Sequence, residues 1–217
     1  SGGHMITGTI LSGVGGFYDV KLDSNERLTC QLRGKLRLGT EGVMVGDRVG
    51  VLMDEEAGKG YVECVLERRS RLPRPAVANI DQTAAIMSLK APKPNLMLLD
   101  RILVLAEYHR LAPFVVLNKS DLADADETSL RTLRHHCAPY NVYIVSAESG
   151  YGLETLLDRL SGKITALAGP SGVGKSTLIN QLVPDHVQAV GDISRKLGRG
   201  RHTTRQVTLL PLPAGGF

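Results

Sequence analysis

The sequence predicts a two-domain protein in which a small all-β barrel precedes an α/β domain with a mostly parallel sheet. Two observations predict this division. Apolar and polar residues alternate between glycine-containing turns up to about residue 70, and apolar strands alternate with amphipathic helices from about residue 80. A chain of 217 residues is long enough for two domains of roughly 100 residues each.

The composition is that of a globular protein with a mild excess of positive charge. Hydrophobic residues make up 42% of the chain, charged residues 22%, and the formal net charge is +4. No apolar run reaches the ~18 residues that a membrane-spanning helix needs, so we expect no membrane partner. Three widely spaced cysteines argue against a disulfide framework and suit the reducing cytoplasm. Aromatic residues, at 4%, are too few for base stacking to dominate nucleic-acid binding.

Residues 5–70 have the pattern of short strands that a small barrel requires. MITGTILSGVGGFYDVKL and ERLTCQLRGKLRL alternate apolar and polar residues, and VMVGDRVGVLMD and GYVECVLER add further short strands. Four or five such strands favour a five-stranded barrel of the OB type, with another small β-domain as the alternative. Residues 1–4 are interpreted as an expression scar, with the native chain beginning near Met5.

A stretch rich in arginine and proline separates the two regions. RRSRLPRPAVAN holds four arginines, Arg68, Arg69, Arg71 and Arg74, around Pro73 and Pro75. We expect this cationic run to stay solvated and interpret residues 71–79 as a linker. The alternative is a strip of arginines that contacts phosphates beside the barrel. From 80 to 217, strands such as PFVVL and VYIVSA alternate with helical segments such as LMLLDRILVLAEYHRL. This alternation is typical of a parallel sheet with helices on both faces.

The strongest chemical motif is GPSGVGKST, which matches the P-loop pattern between an apolar strand, KITALA, and a helical segment, STLINQLV. Its glycines let backbone amides converge on phosphate oxygens at a helix N-terminus. We expect Lys175 to reach the β- and γ-phosphates and the Ser176 hydroxyl to ligate Mg²⁺. The predicted phosphate-binding residues are Gly169, Pro170, Ser171, Gly172, Val173, Gly174, Lys175, Ser176 and Thr177.

A second motif, NKSD, follows the strand PFVVL, at a strand end where ligands bind in open α/β sheets. Asp121 can accept both the N1–H and the N2 amine of guanine, which adenine does not offer in that arrangement. The stem of Lys119 can cover the base plane, Asn118 can tie the loop to the P-loop, and the Ala147 amide can donate to guanine O6. The predicted base-binding residues are Asn118, Lys119, Ser120, Asp121, Ser146 and Ala147. The two motifs together predict binding of GTP and GDP.

The order of these motifs is unusual, because an ordinary GTPase has its phosphate loop first and N-K-x-D near the end. With its N-terminal barrel, RPAVANIDQ, LNKSDL, GPSGVGKSTL and LGRGRHTTR, the chain resembles the RsgA (YjeQ, EngC) family of circularly permuted ribosome-assembly GTPases from about Thr7 onwards. The resemblance implies an OB-fold barrel that contacts rRNA and a circularly permuted P-loop GTPase domain. It also implies GTP hydrolysis, stimulated by the small ribosomal subunit, in late maturation of that subunit. We expect a monomer.

The segment LGRGRHTTRQV supplies further candidates. A threonine after the P-loop helix usually coordinates Mg²⁺ and senses the γ-phosphate in GTPases, and spacing does not choose between Thr203 and Thr204. The resemblance makes His202 a candidate for positioning the attacking water, whereas the alternative is an exposed loop histidine. Glycines and five basic residues around it predict a segment that nucleotide or RNA orders, or simply a solvated basic loop.

The chain departs from the family pattern at its C-terminal end. No Asp-x-x-Gly follows the P-loop, and the Cys/His zinc site of the family's C-terminal domain is missing, while residues 215–217 resemble the start of the next strand. We therefore expect that the native protein continues past Phe217, that Zn²⁺ binds only if that domain exists, and that this chain hydrolyses GTP poorly. Pro170 is a smaller departure, because proline offers no N–H to a phosphate.

Two other functions stay open at the level of sequence. A guanylate-kinase-like phosphotransferase shares GPSGVGKST, but only about 40 residues follow Thr177, too few for that family's substrate and lid segments. The non-enzymatic alternative is an RNA-binding module with a vestigial nucleotide fold, which the intact Lys175, Ser176 and Asp121 argue against. Neighbouring His135 and His136 are interpreted as a solvated helix end, since adjacent helical side chains diverge.

Overall fold

The structure, a computed structural model, describes residues 5–37, 42–54, 58–73, 75–122, 127–184 and 207–217. The chain divides into two compact units. The first comprises the described residues up to Ile80 together with 207–210, and the second comprises those from Asp81 to 184 together with 211–217.

The first unit is built on a closed five-stranded barrel, as the alternating pattern predicts. Its strands pair in the circular order β1-β2-β3-β5-β4, and only the β3–β5 pair is parallel. The barrel core consists of small and β-branched side chains that are fully buried, among them Ile10, Val20, Cys30, Val49 and Val62. Burial raises the pKa of the Cys30 thiol to about 11. The elements are β1 (Met5–Val14), β2 (Phe17–Leu22), β3 (Arg27–Leu32), α1 (Gly34–Arg37), β4 (Arg48–Asp54) and β5 (Lys59–Val65).

The arginine-rich segment after the barrel contains regular structure. β6 (Arg71–Pro73) and β7 (Ala76–Ala78) form a two-stranded antiparallel ribbon. The Arg68 guanidinium donates to both carboxylate oxygens of Asp47, at 2.7 and 2.9 Å, and the Asp47 side chain is completely buried. The expectation of a solvated run is therefore wrong for Arg68, because a buried carboxylate draws its charged end inward.

Two polar residues near the division between the units, Asn79 and Asp81, each form hydrogen bonds within their own unit. The Asn79 side chain is 1% exposed, donates to the Gly46 carbonyl at 2.9 Å and accepts from the Arg69 amide at 2.8 Å. In the second unit, the Asp81 carboxylate accepts from the Ile164 amide at 2.8 Å. These contacts explain two of the three polar residues in the sequence VANIDQ.

The second unit contains a four-stranded parallel sheet in the order β10-β9-β8-β11. Every residue of the central strand β8 is buried, as a strand covered on both faces requires. The strands are β8 (Gln82–Ser88), β9 (Ala112–Asn118), β10 (Val142–Ile144) and β11 (Thr165–Ala168). The helices are α2 (Leu96–Tyr108), α3 (Glu127–His136), α4 (Leu153–Leu160) and α5 (Lys175–Leu182).

Helices cover both faces of this sheet, which confirms the prediction. On one face, Leu99 and Leu103 of α2 and Leu133 of α3 pack in one core with Val115 and Leu117 of β9. Phe114 of β9 points to the opposite face, because successive residues of a strand alternate. There the Arg159 guanidinium of α4 lies 5.1 Å from the centre of the Phe114 ring. None of the described helices combines the length and apolarity that crossing a bilayer demands.

Both neighbouring histidines at the end of α3, His135 and His136, are exposed, as the expectation of a solvated helix end requires. His136 Nε2 also lies 2.8 Å from the Asp100 carboxylate of α2, in a contact at the surface. Within the described residues, no group of three or more His, Cys, Asp or Glu side chains is placed to hold a metal ion.

The last residues approach the edge strand β11. The Phe217 amide donates to the Lys163 carbonyl and the Thr165 amide donates to the Phe217 carbonyl, both at 2.9 Å. This alternation is that of a parallel ladder, the pairing expected if residues 215–217 begin a strand beside β11. Residues 207–210 belong instead to the barrel unit, where the Leu209 amide donates to Leu11 at 2.8 Å.

We predict that Asp47→Asn lowers the free energy of unfolding by about 3–5 kcal/mol, because it removes the buried negative charge that accepts two hydrogen bonds from the Arg68 guanidinium. The matched control is Glu63→Gln, which removes the partner of Arg33 in an exposed ion pair of 2.9 Å and is expected to cost less than about 1 kcal/mol. Urea denaturation followed by circular dichroism measures both. Equal, small losses in the two variants would contradict a buried ionic contact.

Candidate nucleotide-binding site

The candidate residues lie where neighbouring strands of the second unit end. β8 ends at Ser88 and β9 at Asn118, and the ladder pairs these two residues directly. Ser146 and Ala147 follow β10, and Gly169 follows β11. Because all four strands are parallel, their carboxyl ends meet at one edge of the sheet, where open α/β folds bind ligands.

Asn118 connects three of these segments with one side chain. Its amide nitrogen donates to the Val173 carbonyl of the P-loop at 2.9 Å, and its amide oxygen accepts from the Ala147 amide at 3.0 Å. The side chain is 1% exposed, so both hydrogen bonds are shielded from water. The base-recognition loop and the phosphate loop therefore lie at one site, although 55 positions separate Asn118 from Val173.

The P-loop can pass this close to Asn118 only because it carries glycine. Gly174 has a φ of 92°, and a Cβ atom there would lie 2.4 Å from the Asn118 amide nitrogen. Gly169 is equally restricted, since a Cβ would lie 2.3 Å from the Ile86 carbonyl. Two of the glycines in GPSGVGKST are thus required by close contact with β8 and β9.

The helix after the loop presents free amides and a cation. α5 begins at Lys175, and no side chain among the described residues caps its N-terminus, so its first backbone N–H groups are available to an anion. The Lys175 ammonium lies against the loop, donating to the Gly169 and Pro170 carbonyls at 2.7 and 2.6 Å. Ser176 and Thr177 are exposed at the start of the helix, and Ser171 is exposed in the loop.

The hydroxyl of Ser146 orients the carboxylate of Asp121. Ser146, 1% exposed, donates to one Asp121 oxygen at 2.5 Å and accepts from the Ser149 amide at 3.1 Å. Asp121 lies in a short 3₁₀ turn, Ser120–Leu122, and is exposed. A carboxylate held in this way presents a fixed acceptor beside the strand ends.

Two of the predicted base-binding residues contact other parts of the protein, and three candidates lie outside the described residues. The Ala147 amide donates to Asn118, and its contact with guanine O6 stays a prediction. Lys119 has a left-handed backbone with φ 64°, and its ammonium donates to the Ala91 carbonyl at 2.6 Å. Ala91 belongs to a turn after β8 that carries no sequence motif. The candidates His202, Thr203 and Thr204 lie outside the described residues.

We predict that Asn118→Asp destabilises the protein by about 2–3 kcal/mol. The substitution keeps the acceptor for the Ala147 amide but turns a second carboxylate oxygen toward the Val173 carbonyl, which leaves two buried acceptors facing each other. The control is Asn141→Asp, the same change at an exposed position, expected to stay within about 0.5 kcal/mol. Thermal unfolding of both variants is the measurement, and equal shifts would argue against the buried contact.

Comparison with known proteins agrees with this architecture. Residues 7–62 match the family model of the RsgA N-terminal domain, and residues 65–217 match that of the RsgA GTPase. The small ribosomal subunit biogenesis GTPase RsgA of Ruminiclostridium cellulolyticum is 41% identical over 217 residues, which is 98% of this chain and 70% of the relative. The RsgA of Clostridium perfringens is 42% identical over 209 residues, 96% of this chain and 71% of the relative.

Solved structures show the same fold. The crystal structure of YjeQ from Thermotoga maritima has a TM-score of 0.82 at 36% identity and covers 98% of this chain and 73% of its own. The crystal structure of YloQ, described as a circularly permuted GTPase, has a TM-score of 0.73 at 32% identity and covers 83% of this chain and 65% of its own. These matches confirm the OB-like barrel and the permuted sheet, and they do not support a guanylate kinase or a vestigial nucleotide fold. The chain belongs to the RsgA family of circularly permuted GTPases.

Proposed function

We propose that this chain binds GTP and GDP with Mg²⁺, hydrolyses GTP, and acts in the maturation of the small ribosomal subunit. The observation that carries the proposal is the pair of hydrogen bonds from Asn118, which bring the NKSD loop and the P-loop to one strand edge. The names of the relatives, small ribosomal subunit biogenesis GTPase, support the ribosomal role.

The phosphates are proposed to bind at the start of α5. The backbone N–H groups at the uncapped start of this helix and in the loop glycines can donate to phosphate oxygens. The Lys175 ammonium, which lies against the loop, can pair with the same oxygens. Mg²⁺ bound with the nucleotide neutralises charge that develops on the β- and γ-phosphate oxygens. The exposed Ser176 hydroxyl is a hard oxygen donor and suits this ion. Thr203 or Thr204 is proposed as the further Mg²⁺ ligand and γ-phosphate sensor, and His202 as the residue that orients water.

The base is proposed to be read by Asp121. Its carboxylate, fixed by the Ser146 hydroxyl, accepts the N1–H and the N2 amine of guanine, and charge makes both hydrogen bonds stronger than neutral ones. Lys119 covers the base with its aliphatic stem, and Ser120 keeps the turn that aims Asp121. Ala147 is proposed to donate to guanine O6 with its backbone amide, which in this structure donates to Asn118.

The barrel is proposed to contact rRNA, and the protein to work as a cytoplasmic monomer. A factor that matures ribosomal subunits acts where those subunits are assembled. The barrel is closed, so it has no unpaired strand edge through which two copies would join. The family match of residues 7–62 supports a barrel shared with relatives that act on the small subunit.

We predict that GDP binds at least ~100-fold more tightly than ADP, and that Asp121→Asn reverses the preference between guanine and xanthine. The variant loses two charge-assisted hydrogen bonds of roughly 1.5–3 kcal/mol each to guanine, while its amide donates to the O2 of xanthine. Isothermal titration calorimetry with GDP, ADP and xanthosine diphosphate measures the change. Asp158→Asn, an exposed position on α4, is the control and is expected to behave as wild type. Equal affinities of the wild type for GDP and ADP would refute base recognition.

We predict that a non-hydrolysable GTP analogue increases co-sedimentation of the chain with small ribosomal subunits relative to GDP. The reason is that the γ-phosphate orders the segments that sense it and so favours the bound state. Lys175→Ala is the control, because it lacks the cation that pairs with the phosphates. We expect this variant to co-sediment with small subunits to the same extent in the presence of either nucleotide. Sedimentation of the wild type that does not depend on the nucleotide would leave the proposed ribosomal role without support.

A further inference from the structure

The turn that follows β8, residues 88–92, is closed by one buried hydroxyl. Ser88 is completely buried and pairs with Asn118 in the ladder between β8 and β9. Its Oγ donates to the Ala91 carbonyl at 3.0 Å and accepts from the amides of Ala91 and Lys90 at 3.1 and 3.3 Å. The single proton and both lone pairs of this hydroxyl are therefore used within the turn, and the orientation of the Ala91 carbonyl is fixed.

The Ala91 carbonyl is the acceptor for Lys119. The Lys119 ammonium donates to it at 2.6 Å across 28 positions of sequence. Lys119 has a φ of 64°, an uncommon conformation for a residue with a side chain, and its ammonium turns back toward β8. A fixed carbonyl at the 88–92 turn thus determines where the charged end of this lysine lies.

Both the turn and the lysine stem border the P-loop. Lys119 Cε lies 3.9 Å from the position that a Cβ would take at Gly174, and Pro92 Cδ lies 3.7 Å from the corresponding position at Gly172. The stem is therefore stretched between its own loop and the 88–92 turn, alongside the phosphate loop. This is the place from which a lysine stem covers a base whose phosphates sit in the P-loop.

We propose that Ser88 is a positioning residue for guanine-nucleotide binding: through the Ala91 carbonyl it holds the Lys119 ammonium, so that the aliphatic stem is already in place to cover the base. The inference rests on the proposed function. A lysine without this acceptor populates many rotamers, and ordering it would weaken binding. Ser88 acts through Lys119 and does not touch the nucleotide.

The test is a double-mutant cycle on GDP affinity, measured by calorimetry. Ser88→Ala removes the hydroxyl, and Lys119→Met keeps an aliphatic stem but removes the ammonium. Each is expected to weaken GDP binding about fivefold, the equivalent of one net hydrogen bond, and the double variant is expected to be no weaker than Lys119→Met alone. The control is Ser161→Ala, which removes a hydroxyl that also donates to a backbone carbonyl, that of Ala214 at 3.0 Å, and should leave the affinity unchanged.

Multiplicative losses in the double variant, or an unchanged affinity in Ser88→Ala, would overturn the inference while the proposed function stands. A wild-type chain that does not bind GDP would overturn both. Thermal unfolding verifies that the variants fold. Should Ser88→Ala not fold, Ser88→Cys, which keeps the volume but forms only weak hydrogen bonds, takes its place in the cycle with the same expected losses.

Discussion

The geometry of the site depends on one side-chain amide, that of Asn118. A donor and an acceptor on the same planar group hold two loops that come from different parts of the chain, and the register of β8 and β9 holds that group at the sheet edge. Both partners are backbone atoms, and the close approach requires the missing side chain of Gly174. A side-chain amide does not titrate, so it offers a donor on one side and an acceptor on the other at every pH compatible with folding.

Sequence reasoning succeeded where the determining interactions are local. Alternation over a few residues predicts the barrel strands, and apolar strands followed by amphipathic helices predict the parallel sheet. The P-loop was recognisable because the glycines, lysine and hydroxyl that it needs are contiguous. Each of these patterns repeats or closes within a stretch of roughly ten to twenty residues. The one long-range contact that was predicted, from Asn118 to the P-loop, could be inferred because two recognisable motifs mark its ends.

The parts that sequence did not predict all involve partners far apart in the chain. Arg68 pairs with Asp47 across 21 positions, His136 with Asp100 across 36, and the Ala147 amide with Asn118 across 29. Each of these polar groups could also have been bound by water alone, and only the tertiary arrangement supplies the partner. The 88–92 turn was missed for the same reason, since a serine before a short polar stretch looks like any loop until the register with β9 is known.

The permuted order of the motifs has a consequence for synthesis on the ribosome. Once β8 has emerged from the ribosome, it can soon pair with β9, because Gln82 and its partner Ala112 are close in the chain. The other edge of β8 stays unpaired until β11 has been made, since Gln82 pairs there with Thr165. About 80 further residues must be translated first, which takes roughly 4–16 seconds at 5–20 residues per second. For that time the nascent polypeptide carries a strand that is buried throughout in the folded protein but has an unsatisfied edge, a surface that invites chaperone binding or aggregation.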